Sequence, residues 1–347
     1  MKLNHIYKSI ACGVLLAMTA TSCDLDYNPV DTYSDVTEGV NKTDEKPIFN
    51  SVQDVETSMV TLHKKFRDQQ EHWYVDKLLI GDAHSDNAYA GTTGAEVVPY
   101  ETNSIEGSNS VLKRDWDRFL GDIAVANRII VGCDQLKALS ESERGKYQSQ
   151  AKIFRAMVMF DMVRLWGNFP VITTVGGDIT EDNIEEMYPT YFPPQNTAEE
   201  AYAQIEKDLT EAVENPNTPT NDTSDKSILT KSVARAMLAK VYAEKPLRDY
   251  AKVIKYADEL AADGFDLVED FSDLWAYDTE KKDCRVRNTK EAILEAHFPP
   301  GSGNWCTWMF GRNLSNWDES FTWAKWITPS RDLIRLYEEQ GDTKRYN

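Results

Sequence analysis

The sequence lacks a hydrophobic stretch long enough to cross a bilayer. Its one strongly apolar run, residues 10–20, has eleven residues, whereas a spanning helix needs about 20. Cysteine is also scarce, with five residues in a chain of 347 and no Cys-x-x-Cys pair. A disulfide scaffold and a structural zinc site are therefore excluded.

Basic residues are outnumbered, and catalytic motifs are missing. Lys and Arg total 38 against 57 Asp and Glu, which gives a net charge of −19 at pH 7. Without a basic run, such a chain repels nucleic acid and anionic lipid headgroups. The sequence has no His-Glu-x-x-His, no Gly-x-Ser-x-Gly and no phosphate-binding glycine loop. We therefore predict no enzymatic activity, no cofactor and no metal site, and we expect the many acids to form a solvated surface.

Residues 1–22 have the pattern of a signal peptide. Two lysines precede the apolar run, and small residues then lead to Cys23, which is the order that a lipoprotein signal peptidase requires. We predict that Cys23 carries the lipid, that this lipid is the only membrane attachment, and that residues 23–50 form an acidic, extended tether. Cleavage by an ordinary signal peptidase, which would give a secreted protein, is the alternative.

Apolar residues recur at helical spacing through most of residues 51–270. The clearest case is 198–213, where Thr197 and Glu200 form a capping-box sequence and Asn215-Pro216 ends the helix. Residues 233–241 and 250–261 predict two helices joined by a tight turn, a hairpin typical of tetratricopeptide repeats. The sequence therefore predicts an all-α body of tetratricopeptide-like helical hairpins.

Three further helices are predicted upstream. Residues 51–79 have one apolar face, and a second helix extends from Trp116 to about residue 139. Residues 150–166 are apolar on almost every side, as in an inner helix of a stacked array. We therefore assign Trp116, Arg155 and Trp166 to packing.

The helical pattern fades after about residue 270. Residues 292–298 form the one predicted strand, and Thr328-Pro329 is expected to start a last helix that ends near Gly341. The intervening loop is rich in tryptophan, at positions Trp305, Trp308, Trp317, Trp323 and Trp326.

Trp305 and Trp308, with Asn304, are the candidate ligand-binding residues of this loop. Flat aromatic rings stack well on the C–H faces of sugars, and an amide side chain can bind sugar hydroxyls. Burial beneath a long loop is the alternative for these rings. The spacing of Trp323 and Trp326 suits docking of the last helix.

Several stretches resemble, in order, the SusD/RagB family of nutrient-binding outer-membrane lipoproteins. The most specific is 151–170, where an Arg-Ala helix with aromatic residues leads into Leu165-Trp166-Gly167 and then Pro170. Residues 116–130 are similar to the family's early helix, and 201–213 are similar to its Ile-x-x-Asp-Leu-x-x-Ala core. Together with 236–242, 290–298 and 329–345, these matches span most of residues 50–345.

The resemblance implies a mostly helical, lipid-anchored protein on the extracellular face of the outer membrane. Such proteins capture an oligosaccharide and act as the lid of a SusC-like TonB-dependent transporter, their partner in nutrient uptake. RagB-like capture of a peptide is one alternative. A structural adaptor whose helices bind only protein is another, and an enzyme ranks behind both.

The loop 81–91 is similar in position to a loop that contributes polar ligand contacts in the family. The resemblance implies that Asp82, Asp86 and Asn87 bind hydroxyls and that Tyr89 stacks on the ligand; a solvated loop is the alternative. Family members continue well past the helix predicted from residue 329. We therefore expect residues 271–347 to be the incomplete start of a loop-rich ligand-binding part that follows the helical body at 51–270.

Overall fold

Helices dominate the part of the chain that the computed structural model describes, residues 47–90, 96–177, 183–274, 276–281, 283–299 and 327–346. The helices of eight residues or more are α1 (Val52–Asp68), α2 (Ser110–Gln135), α3 (Glu141–Trp166), α4 (Ile184–Tyr191), α5 (Ala198–Glu214), α6 (Lys231–Ala243), α7 (Tyr250–Ala262) and α8 (Arg331–Gln340). None of these helices is long and apolar enough to cross a membrane.

Shorter elements connect the long helices. The helical segment 71–83 consists of two π-helical turns, Glu71–Val75 and Leu79–Ala83, on either side of Asp76–Leu78. Single helical turns occur at Val98–Glu101, Phe271–Leu274 and Thr343–Tyr346. The strands are β1 (Ala88–Ala90), β2 (Tyr277–Asp278), β3 (Asp283–Cys284) and β4 (Ile327–Pro329), and they form two antiparallel pairs, β1 with β4 and β2 with β3.

Local signals set the helix ends. Ser140 and Thr197 each begin a helix with a reciprocal capping box, in which the hydroxyl accepts from the backbone N–H of a glutamate three residues on. The predicted capping box at Thr197 is therefore confirmed. After α7 and α8 the chain turns at Gly264 and Gly341, whose φ angles of +92° and +64° are in the left-handed region that favours glycine.

The long helices pack as successive hairpins. Helix α2 packs on α3, α3 on α5, α5 on α6 and α6 on α7, and α1 covers α2 and α3. Helix α3 lies at the centre, with buried side chains such as Ile153, Phe154 and Phe160 around most of its circumference. The predictions of a mostly α-helical, tetratricopeptide-like body and of an inner helix over residues 150–166 are confirmed.

A second, smaller apolar cluster lies apart from the main core. It joins the end of segment 71–83 to β1, the turn Val98–Glu101, the start of α2 and β4, through Leu79, Ala83, Ala88, Val97, Tyr100, Val111 and Ile327. Four of these elements lie within residues 79–111, and β4 comes from far along the sequence. Because the cluster joins them, it fixes the position of the loop that precedes β1.

The predicted strand at 292–298 is wrong. Ile293, Leu294 and Ala296 pack against the main core instead. The backbone N–H of Glu295 donates to the carbonyl of Lys226 at 2.8 Å in an irregular segment. Short apolar runs are compatible with either arrangement, and here side-chain packing decided the outcome.

Two predicted helix boundaries are also wrong. The helix expected at 51–79 ends at Asp68, and the chain continues as segment 71–83, which turns His72 and Trp73 into the core. The last helix begins at Arg331, because Ser330 caps it by accepting from the N–H of Leu333 at 3.1 Å. Pro329 belongs to β4.

Candidate functional site

The loop between segment 71–83 and β1 has an ordered turn. The backbone N–H and the hydroxyl of Ser85 both donate to the carbonyl of Asp82, at 3.1 and 2.8 Å. The N–H of Asn87 in turn donates to the Ser85 hydroxyl at 3.2 Å. Serine and asparagine favour such local side-chain to backbone bonds in turns. The loop therefore has a defined backbone rather than only solvent contacts.

Two neighbouring segments hold the far end of the loop. The N–H of Ser330 donates to the carbonyl of Asn87 at 2.9 Å, next to the β1–β4 pairing. On the other side, the N–H of Ala90 donates to the Glu101 carboxylate at 2.8 Å. Glu101 and Ser330 were not predicted, because neither has a local motif that indicates the contact and Ser330 is far from the loop in sequence.

Of the four predicted loop residues, Asp86 and Asn87 lie in this turn, whereas Asp82 lies in segment 71–83 just before it and Tyr89 in β1 just after it. Asp86 and Asn87 are exposed and Asp82 is half-buried. Along β1 the side chains alternate, so that Ala88 packs into the second cluster while the ring of Tyr89 is 40% exposed. An exposed aromatic ring beside polar side chains is an arrangement suited to sugar binding.

The other predicted residues lie outside the described part of the chain. These are the lipid-attachment candidate Cys23 and the ligand candidates Asn304, Trp305 and Trp308. Ile327, the first described residue after the tryptophan-rich segment, lies opposite Ala90 in the β1–β4 pair.

An exposed aromatic group on α4 was also missed. Tyr188 and Phe192 are 55% and 67% exposed, with ring centroids 4.8 Å apart. The hydroxyl of Tyr191 donates to the carbonyl of Gly177 at 2.6 Å and ties the helix to the preceding chain. The spacing of Tyr188 and Phe192, one helical turn apart, is the signal that could have revealed the group.

The described part of the chain contains two cysteines. Cys133 is buried and Cys284 is exposed, and both are free thiols. Burial raises the pKa of Cys133 to about 12, which makes it a packing residue rather than a nucleophile. Among the described residues, no group of three or more His, Cys, Asp or Glu side chains is arranged to hold a metal ion.

Comparison with known proteins gives one family. Residues 32–243 match the SusD-like profile described as starch-binding associating with outer membrane. A SusD-like protein of Bacteroides ovatus is 25% identical over 309 residues, which are 85% of this chain and 50% of that protein. The chain thus spans about half the length of this curated relative.

Solved structures share the fold. A laminarin-binding SusD-like protein has a TM-score of 0.53 at 21% identity, and the match covers 65% of this chain and 48% of that protein. Surface glycan-binding protein A of Bacteroides thetaiotaomicron, solved with laminarihexaose, has a TM-score of 0.53 at 16% identity, over 65% of this chain and 46% of its own. A SusD superfamily protein of Bacteroides fragilis reaches a TM-score of 0.58 at 16% identity, over 76% of this chain and 52% of its own.

Proposed function

This chain belongs to the SusD-like family, and from that premise we propose that it binds oligosaccharide outside the cell without altering it chemically. We further propose that it is anchored to the outer membrane through lipid on Cys23 and acts as the lid of a SusC-like TonB-dependent transporter. The family description and two glycan-binding structural neighbours support the ligand class.

One observation carries the proposed site. The β1–β4 pair ties the turn that presents Asp82, Asp86, Asn87 and Tyr89 to the chain that directly follows the tryptophan-rich segment. We propose that Tyr89 stacks on one sugar and that the polar turn residues bind its hydroxyls. Asn304, Trp305 and Trp308 are proposed as further ligand contacts.

Interfaces of this kind concentrate their binding energy in a few aromatic anchors, each worth about 2 kcal/mol or more. Tyr89→Ala should therefore weaken binding of a suitable oligosaccharide by about 30-fold. Because the ring is 40% exposed and lies on the face of β1 opposite the buried Ala88, the free energy of unfolding should change by less than about 0.5 kcal/mol. Calorimetric titration with a panel that includes laminarihexaose, paired with thermal melting, measures both effects.

Tyr250→Ala is the matched control, since Tyr250 is 59% exposed on α7, far from the turn in sequence. It should leave both affinity and stability unchanged. Equal affinities of wild type and Tyr89→Ala for a bound glycan would remove Tyr89 from the site. Binding of peptides and of no glycan by the folded wild type would replace the proposed ligand with a peptide, as in RagB-like proteins.

A further inference from the structure

Buried polar atoms without a partner are concentrated in segment 71–83, which leads into the proposed binding turn (residues 82–89), and in the first half of α2. Six buried side-chain nitrogen or oxygen atoms in the described chain have no hydrogen-bond partner. Five of them belong to segment 71–83 and the first half of α2: His72 Nδ1, Trp73 Nε1, Asp76 Oδ1, Arg114 Nε and Asp115 Oδ1. Unpaired buried polar atoms are costly, so such a concentration calls for a physical explanation.

The buried carboxyl groups of Asp76 and Asp115 share the guanidinium of Arg114. Asp76 is 0% and Asp115 1% exposed, and the guanidinium of Arg114 lies against both carboxyl groups. Arg114 forms an ion pair with Asp76, and its Nε is 3.7 Å from Asp115 Oδ1. Two ionised carboxylates cannot hydrogen-bond to each other, whereas a carboxylic acid can donate to a carboxylate.

The surrounding charges favour the protonated form of one partner. Burial raises the pKa of Asp115 to about 9, and the negative charge of Asp76 acts in the same direction. Arg114 and Arg118 oppose the shift. Arg118 is also paired with Glu71 at 2.9 Å. Tyr100, a further ionisable neighbour, is a buried phenol whose pKa is itself raised, chiefly by burial. A single proton between Asp76 and Asp115 would give both groups a partner.

We propose that Asp115 is a positioning residue for the binding turn, acting as a neutral carboxyl that donates a hydrogen bond to Asp76. Asp76 lies in segment 71–83, which leads directly into the turn, whereas Asp115 lies on α2. The shared proton therefore fastens the base of the turn to the helical body. The role of this contact in ligand binding rests on the function proposed above, but the contact itself does not.

The isosteric variant Asp115→Asn tests the shared proton through stability. Between about pH 5 and pH 8 the folded wild type retains the Asp115 proton, whereas the unfolded chain has lost it, since the ordinary pKa is 3.8. The stability that this proton contributes is fully present below about pH 4 and is lost as the pH rises towards 9. The asparagine has no proton to lose, so the folding equilibrium constant of the wild type should fall about tenfold per pH unit relative to the variant.

Asp117→Asn is the control, because Asp117 lies two residues further along α2 with a side chain 59% exposed. The ratio of its folding equilibrium constant to that of wild type should stay the same over this pH range. Denaturant titrations at each pH measure all three proteins. Equal pH dependence of wild type and Asp115→Asn would overturn the shared proton.

Amide hydrogen exchange separates positioning of the turn from general stability. At about pH 9.5 the amides of Ala90 and Ser330, which hold the turn, should exchange faster in wild type and Asp117→Asn than in Asp115→Asn, relative to amides of α5. At pH 6 the three proteins should match. Unchanged relative protection of these two amides would overturn the positioning role.

Two further measurements test the proposal without relying on the folding of Asp115→Asn or on the identity of the ligand. In wild type with carbon-13-labelled aspartate, one carboxyl should titrate near pH 9, and the absence of such a carboxyl would overturn the proposal even if Asp115→Asn does not fold. If the stability and exchange results hold while no oligosaccharide binds, the positioning contact stands and the proposed ligand is wrong.

Discussion

At the scale of single residues, Arg155 joins three helices through one side chain. Its guanidinium donates to both carboxylate oxygens of Asp208 on α5, at 2.8 and 2.7 Å, and to the side-chain oxygen of Asn127 on α2, at 2.7 Å. The two charged side chains are 4% and 1% exposed. Such a buried pair adds little to stability compared with apolar packing, but breaking it leaves an uncompensated charge.

Arg155→Ala should therefore lower the free energy of unfolding by about 3–5 kcal/mol, because it strands the Asp208 carboxylate in the core. Arg164→Ala is the control on the same helix, since Arg164 pairs with Glu244 at the surface with a side chain 54% exposed. That change should cost no more than about 1 kcal/mol. Denaturant unfolding of both variants measures the difference. Similar losses in the two would show that Asp208 finds another partner.

Only part of this arrangement could be predicted at the residue scale. The assignment of Arg155 to packing followed from its place on a helix that is apolar on nearly all sides. Its partner could not be predicted, because Asp208 lies 53 residues further along the chain. The Ile-x-x-Asp-Leu-x-x-Ala motif singles out this aspartate but does not indicate which side chain it binds. The same limit hid the pairing of Asp76 with Asp115, which brings two carboxyl groups together against simple charge repulsion.

At the scale of elements, α7 was predicted as a helix, but the side that it buries was not predicted. The sequence marks this helix by Tyr250, Ile254, Ala257 and Ala261, and all four are exposed. Helix α7 packs on α6 through its opposite side, where Tyr256 is buried and lies parallel to the ring of Tyr242. Periodicity predicted the helix, but with apolar residues on both sides it could not predict which one faces the core.

Substitutions on the two sides of α7 should therefore differ in cost. Ile254→Glu should change the free energy of unfolding by less than about 0.5 kcal/mol, since Ile254 is 63% exposed. Tyr256→Ala should cost about 3 kcal/mol or more, because it empties a packed site between α6 and α7. Thermal melting of both variants, with equilibrium unfolding in urea, measures the two costs. A large loss from Ile254→Glu would show that this face is covered in solution.

The short strands were beyond sequence reasoning for a different reason. Strands β1 and β4 have three residues each, too few for an alternating pattern to be recognised. Their pairing depends on the second apolar cluster, which gathers segments from four other parts of the chain around Ile327. Helices could be predicted from local caps and spacing, whereas the β1–β4 pairing depends on contacts between residues 79–111 and Ile327 that no local pattern indicates.

At the scale of the whole molecule, net charge and the predicted lipid anchor act in opposite directions at a membrane. A net charge of −19 opposes adsorption to anionic membrane surfaces, so the proposed membrane association needs another source. The predicted source is lipid on Cys23, with the acidic residues 23–50 as the tether. Each buried methylene contributes about 0.8 kcal/mol, and more than one acyl chain is needed for durable anchoring.

Cys23→Ala should accordingly release the protein from the membrane fraction into the soluble fraction and abolish incorporation of labelled palmitate, without changing its thermal melting. Cys284→Ala is the matched control, because it removes an exposed thiol from the folded part of the chain and should leave both membrane association and labelling intact. Detergent phase partition and fractionation of expressing cells measure the outcome. Membrane association that persists in Cys23→Ala would mean that the protein is held by something other than lipid at this residue, since its own surface charge opposes adsorption to anionic headgroups.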